Sequence, residues 1–205
     1  MSYIIEGLIL GLGLAISLGP IFITLTQASI DRGIKAGLTV GAGIWISDII
    51  FISFFYNFIN KLSETIESPS FIFWMGISGA IVLFLFGLYM IISKPSLNYN
   101  DEKLTAKNYI GFFLTGFTVN SVNPFTFVYW MGVISTYKIG QQIPNNSLML
   151  ILLTILTVII LSDAAKVFLA HKLKSAMTPQ VINRVFNFSG VMLISFGVYM
   201  LFRVV

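Results

Sequence analysis

Long stretches of this chain carry no charged residue: 7–30, 68–93, 108–137, 139–162 and 185–202, while 36–60 contains only Asp48. About 20 apolar residues cross the hydrocarbon core of a bilayer, so most of these runs suffice for one helix each. The last is short, but Arg203 can snorkel outward and extend it. The pattern therefore predicts six helices, near 4–29, 36–59, 70–93, 108–136, 146–170 and 183–203, with short polar connectors. The first span does not read as a cleavable signal, because it lacks a basic leading region and has Glu6 at its start.

The longest polar connector, 94–107, divides the chain. On each side the features recur in one order: a span broken by proline, a span carrying an aspartate, then a plain apolar span. Pro20 pairs with Pro124 and Asp48 with Asp163. An odd number of spans per half makes the second half enter the membrane from the opposite face. Such inverted repeats place substrate and ion sites near the midplane, where the halves meet. The expected architecture is an all-α membrane protein, a single transmembrane domain over 1–205. Its repeats are 1–93 and 108–205, three helices each.

Composition agrees with that reading: 57% of residues are hydrophobic and 10% charged, where a soluble domain carries about 25% charged residues. The formal net charge of +4 is spread through the connectors and is not a nucleic-acid footprint. Arg32, Lys35, Lys94, Lys103, Lys107, Lys172, Lys174 and Arg184 fall on one side; Lys61, Lys138 and Arg203 fall on the other. The positive-inside bias puts the larger set in the cytoplasm and both termini outside. With no cysteine, disulfides, thiol redox chemistry and cysteine-bound metal are excluded. Glycine spacings such as Gly7-xxx-Gly11 and Gly37-xxx-Gly41 let helices approach closely and permit a homodimer. Tyr3, Trp45, Trp74, Tyr89, Trp130 and Tyr137 include residues near predicted span ends, which fits interfacial anchoring.

The proline breaks and the acids carry the candidate chemistry. Proline lacks an N–H, so Pro20 deprives the Ile16 carbonyl of its helical partner and Pro124 does so for Asn120. Where a helix unwinds at such a point, the segment restarting after Gly19-Pro20 or Asn123-Pro124 presents a positive dipole end that suits a carboxylate. Asp48 has no basic residue within a turn, and an acid in hydrocarbon is a candidate for holding a proton, an ammonium group or a metal cation. Asp163 has Lys166 three residues on, on the same helix face. That spacing fits a structural ion pair. It also fits a working aspartate whose lysine modulates it or binds a substrate carboxylate. His171 sits at a helix end beside Lys172 and reads as solvated. No metal-ligand spacing, phosphate-binding loop or nucleophile with a base is present, so neither an enzyme nor a cofactor is expected.

These residues resemble the LysE/RhtB family of small membrane exporters of amino acids. The likeness is carried by Gly19-Pro20, the connector Asp31-Arg32-Gly33-Ile34-Lys35-Ala36-Gly37, then Gly41, Gly43 and Asp48, with Asn123-Pro124 and Asp163 later on. It covers essentially the whole chain. Departures are Leu18 before Gly19-Pro20, where the family commonly has proline, and Phe125 after Asn123-Pro124, where it commonly has lysine. The resemblance implies secondary export of amino acids or related metabolites across an inner or plasma membrane, driven by protons. Gly19, Pro20, Asn120, Asn123, Pro124 and Lys166 are then the expected substrate-binding residues, and Asp48 and Asp163 the proton- or cation-coupling ones. A divalent-cation exporter of related inverted-repeat architecture is the alternative, with a non-transporting membrane subunit behind it.

Overall fold

The computed structural model describes residues 2–15, 19–66, 68–92, 105–173 and 179–204. They form α1 (Ser2–Ala15), α2 (Pro20–Arg32), α3 (Ile34–Ile66), α4 (Pro69–Ile92), α5 (Ala106–Ser121), α6 (Pro124–Ser135), α7 (Asn145–Lys172) and α8 (Pro179–Val204). A π-helical turn, Thr136–Gly140, continues α6. Most of the connector 94–107, with Lys94 and Lys103, lies outside the described residues, as do Lys174 and Ile16.

Both proline-bearing spans are divided in two. Proline occupies the first position of α2 and of α6, where the missing N–H costs nothing and the fixed φ suits a helix start. Asn123 reinforces the second start: its side-chain oxygen accepts from the Phe125 N–H at 3.1 Å. Thr105 opens α5 through a capping box with Asn108. Gly33 separates α2 from α3 at φ +89, a backbone conformation that glycine adopts without a Cβ penalty.

Among the described residues, three stretches are long and apolar enough to cross a membrane: Ile34–Lys61, Phe73–Ile92 and Asn145–Lys172. Together α1 and α2, bent by 69°, make a fourth if counted as one span. The predicted span 108–136 is not one continuous helix, since α5 has 16 residues and α6 has 12. In α8 only the apolar stretch Phe186–Phe202 remains. The second span is longer than its pattern indicates, because α3 runs on past Lys61 into polar sequence.

Burial differs from that of a protein in water, because apolar side chains cover the outside as well as the core. Large apolar side chains such as Ile9, Trp74, Tyr89, Leu161 and Phe202 face outward. Ser29, Ser47, Asp48, Asn120, Thr126, Asp163 and Ser189 are buried. Lipid supplies no hydrogen bonds, so polar groups gather inside, where they find one another. An aromatic and aliphatic core around Phe55, Trp130, Ile134, Leu148 and Ile155 holds α3, α6 and α7 together.

The helices pack across the division at 94–107. In the first half α1 lies on α7, and in the second α5 lies on α3; α4 runs along α8, and α2 sits against α3 and α7. Glycine sets these distances. A Cβ at Gly7 would lie 2.7 Å from Thr154 Cβ, and one at Gly11 2.8 Å from Val158 Cβ. Gly43 and Gly116 bring the α3 and α5 backbones together: a Cβ at either would strike the main chain of Phe113 or Val40. Gly87 and Gly190 meet as equals, each placing an added Cβ 2.6 Å from the other's carbonyl oxygen.

Candidate functional site

A cavity of about 510 Å³ opens between the halves. Its wall includes Gly19 and Pro20 from the first break and Asn120 and Asn123 from the second. Asp48 enters from α3, Asp163 and Lys166 from α7. The predicted residues other than Pro124 thus share one chamber. Pro124 begins α6 beside it, though nothing is described of its side chain.

Asp48 is 2% exposed and held by neutral donors. Asn120 Nδ2 and Trp130 Nε1 each donate to Asp48 Oδ1 at 2.9 Å. No hydrogen bond among the described residues reaches Oδ2. Asn120 is itself fixed at both ends: its amide also donates to the Ile44 carbonyl at 3.1 Å, and Thr126 Oγ1 donates to its Oδ1 at 3.0 Å. The aspartate is therefore not an unpartnered acid, as its sequence neighbours imply, but the end of a polar chain reaching from α6 and α5 into α3. Beside it, the Ser47 and Ser121 hydroxyls stand 2.9 Å apart.

Asp163 is solved differently. Lys166 Nζ lies 2.9 Å from its Oδ1, and Trp45 Nε1 donates to Oδ2 at 3.2 Å. The side chain of Asp163 is 3% exposed and that of Lys166 18%. The ion pair expected from the spacing is thus formed, and its lysine still reaches the cavity. Each aspartate takes an indole from the opposite half of the chain.

Three sequence expectations change here. Trp45 and Trp130 are not interfacial anchors; their N–H groups serve the two acids, and Trp130 is fully buried. Tyr137 is buried too, packed in the core with Trp130. The Asn120 carbonyl is not left unpaired at the break, because the Asn123 N–H donates to it at 3.2 Å. No local signal reveals the tryptophans, since each partner lies far away along the chain. His171 is exposed, as expected at a helix end, with Nδ1 3.3 Å from the Ser29 carbonyl. Among the described residues, no three His, Asp or Glu side chains group to hold a metal ion. Ser189 on α8 lies buried at the wall, its hydroxyl without a hydrogen-bond partner among the described residues.

Broken helices around a shared cavity recur at the substrate sites of membrane transporters. The chain belongs to the LysE type translocator family, whose profile matches residues 12–203. It is a transporter by family, not an enzyme. A curated relative from Bacillus subtilis (strain 168), named "Putative amino acid efflux protein YcgF", is 23% identical over 205 residues, covering 97% of this chain and 95% of its own length. No solved structure matches the chain.

Proposed function

We propose that this protein exports amino acids across the membrane by proton-coupled alternating access. The observation that carries the reading is that both aspartates, both helix breaks and Lys166 line one cavity. In this scheme the substrate's carboxylate lies near Lys166 and the start of α2, where helix-end N–H groups favour negative charge. Its ammonium group engages the open oxygen of Asp48. Asp48 and Asp163 exchange the coupling protons, and one half rocks against the other to expose the chamber to each side in turn. The exchange of packing partners, α1 on α7 and α5 on α3, with α4 and α8 meeting at Gly87 and Gly190, supports two inverted three-helix repeats and six crossings. The efflux name of the B. subtilis relative supports the direction of transport.

The test is release of amino acids from preloaded proteoliposomes under an imposed pH gradient. Wild-type protein accelerates efflux, and Asp48→Asn slows it by at least about tenfold, because an amide cannot exchange the proton. Full wild-type efflux by Asp48→Asn at every pH removes Asp48 from the mechanism.

A further inference from the structure

The chamber's wall also says which amino acids fit, a deepening that rests on the exporter reading. Three charged side chains are among its described lining residues: Asp48, Asp163 and Lys166. Both oxygens of Asp163 are taken, Oδ1 by Lys166 at 2.9 Å and Oδ2 by the Trp45 indole at 3.2 Å, so Asp48 is the acid with an open oxygen, while the Lys166 ammonium keeps further N–H donors toward the cavity. One acid and one lysine that reaches the cavity match the ammonium and carboxylate that every amino acid carries. Among the described lining residues no further charge is open to a substrate side chain. The rest of the wall is mainly apolar, with Ile21, Ile44, Leu83 and Ile159 around the chamber. On α8, Phe188, Met192 and Phe196 recur every fourth residue and so stand in one row on one helix face.

We propose that the substrates are neutral amino acids with large apolar side chains, and that the Phe188–Met192–Phe196 row of α8 receives the side chain. A lysine or glutamate side chain in this chamber would present a second charge to hydrocarbon walls, with no partner to replace its water. A serine side chain would pay less, but would leave the apolar row without a contact. The selectivity therefore comes from the absence of a counter-charge as much as from apolar contact.

The experiment is competitive efflux from proteoliposomes loaded with equal amounts of leucine, methionine, phenylalanine, serine, lysine and glutamate. Leucine, methionine and phenylalanine should leave at least about tenfold faster than lysine and glutamate, and faster than serine. Lysine, glutamate or serine leaving as fast as leucine overturns this inference while the exporter reading stands. If none of the six moves, the exporter reading fails, and this inference with it. Met192→Asp supplies the missing carboxylate and should raise the lysine-to-leucine ratio by at least about tenfold; an unchanged ratio overturns the assignment of the row. If that variant does not fold, Met192→Ala trims the same position and should lower leucine efflux relative to serine, with an unchanged ratio counting against the row.

Discussion

Asp163 and Lys166 pose the sharpest question at the scale of single residues, because a pair 2.9 Å apart serves structure whether or not it serves transport. Removing one partner of a buried pair leaves the other charge uncompensated and costs about 3–5 kcal/mol, whereas removing both can be nearly neutral. Asp163→Asn should therefore lower the melting temperature, and Asp163→Asn combined with Lys166→Met should recover most of the loss. Efflux should stay defective in the double variant. Recovery of efflux along with stability assigns the pair a structural role alone, and parallel melting and transport assays decide the matter. The acids themselves are legible in sequence because a charge within an apolar run is costly in lipid and must find a partner or a cavity. Their tryptophan partners are not. Trp130 stands 82 positions from Asp48, and Trp45 stands 118 from Asp163. Nothing in the local pattern separates an indole aimed inward from one lying at a membrane surface.

At the scale of helices, proline and glycine were the readable residues, for different reasons. Proline acts on its own backbone through its missing N–H, so the divisions at Pro20 and Pro124 follow from chemistry local to the chain. Glycine acts on whatever helix faces it, and the sequence does not say which one that is. Gly43 and Gly111 show the difference. A Cβ at Gly43 meets the backbone of Phe113, while one at Gly111 meets nothing within 4 Å. Gly43→Ala should destabilise by about 1–3 kcal/mol, since two backbones must part to admit one methyl group. Gly111→Ala should be neutral or slightly stabilising, because alanine is the better helix former by about 1 kcal/mol. Thermal melts in one detergent compare them directly, and equal shifts would remove close approach as the reason for Gly43. Helix ends were harder to place than breaks: α3 reaches Ile66 although its apolar run ends at Lys61, because packing and not hydropathy alone decides where a helix stops.

For the whole molecule, the distribution of lysine and arginine orients the proposed six crossings, and a chain without cysteine makes the map simple to check. Single cysteines at Ser2 and Gln141, both exposed, should react with an impermeant maleimide on intact cells. Cysteines at Lys107 and Lys172, also exposed, should react only after the cells are opened. Labelling of all four from one side would dismantle the inverted arrangement, and a reversed result would turn both termini inward. The packing of α1 on α7 carries a consequence for how such a chain is made. The helix Ser2–Ala15 has its seat on the helix Asn145–Lys172, which is synthesised much later. During translation Gly7 and Gly11 must wait beside lipid, or beside an insertion chaperone, until that late partner arrives. The face of α1 is thus an unfinished surface, and assembly closes only when Asn145–Lys172 has entered the bilayer.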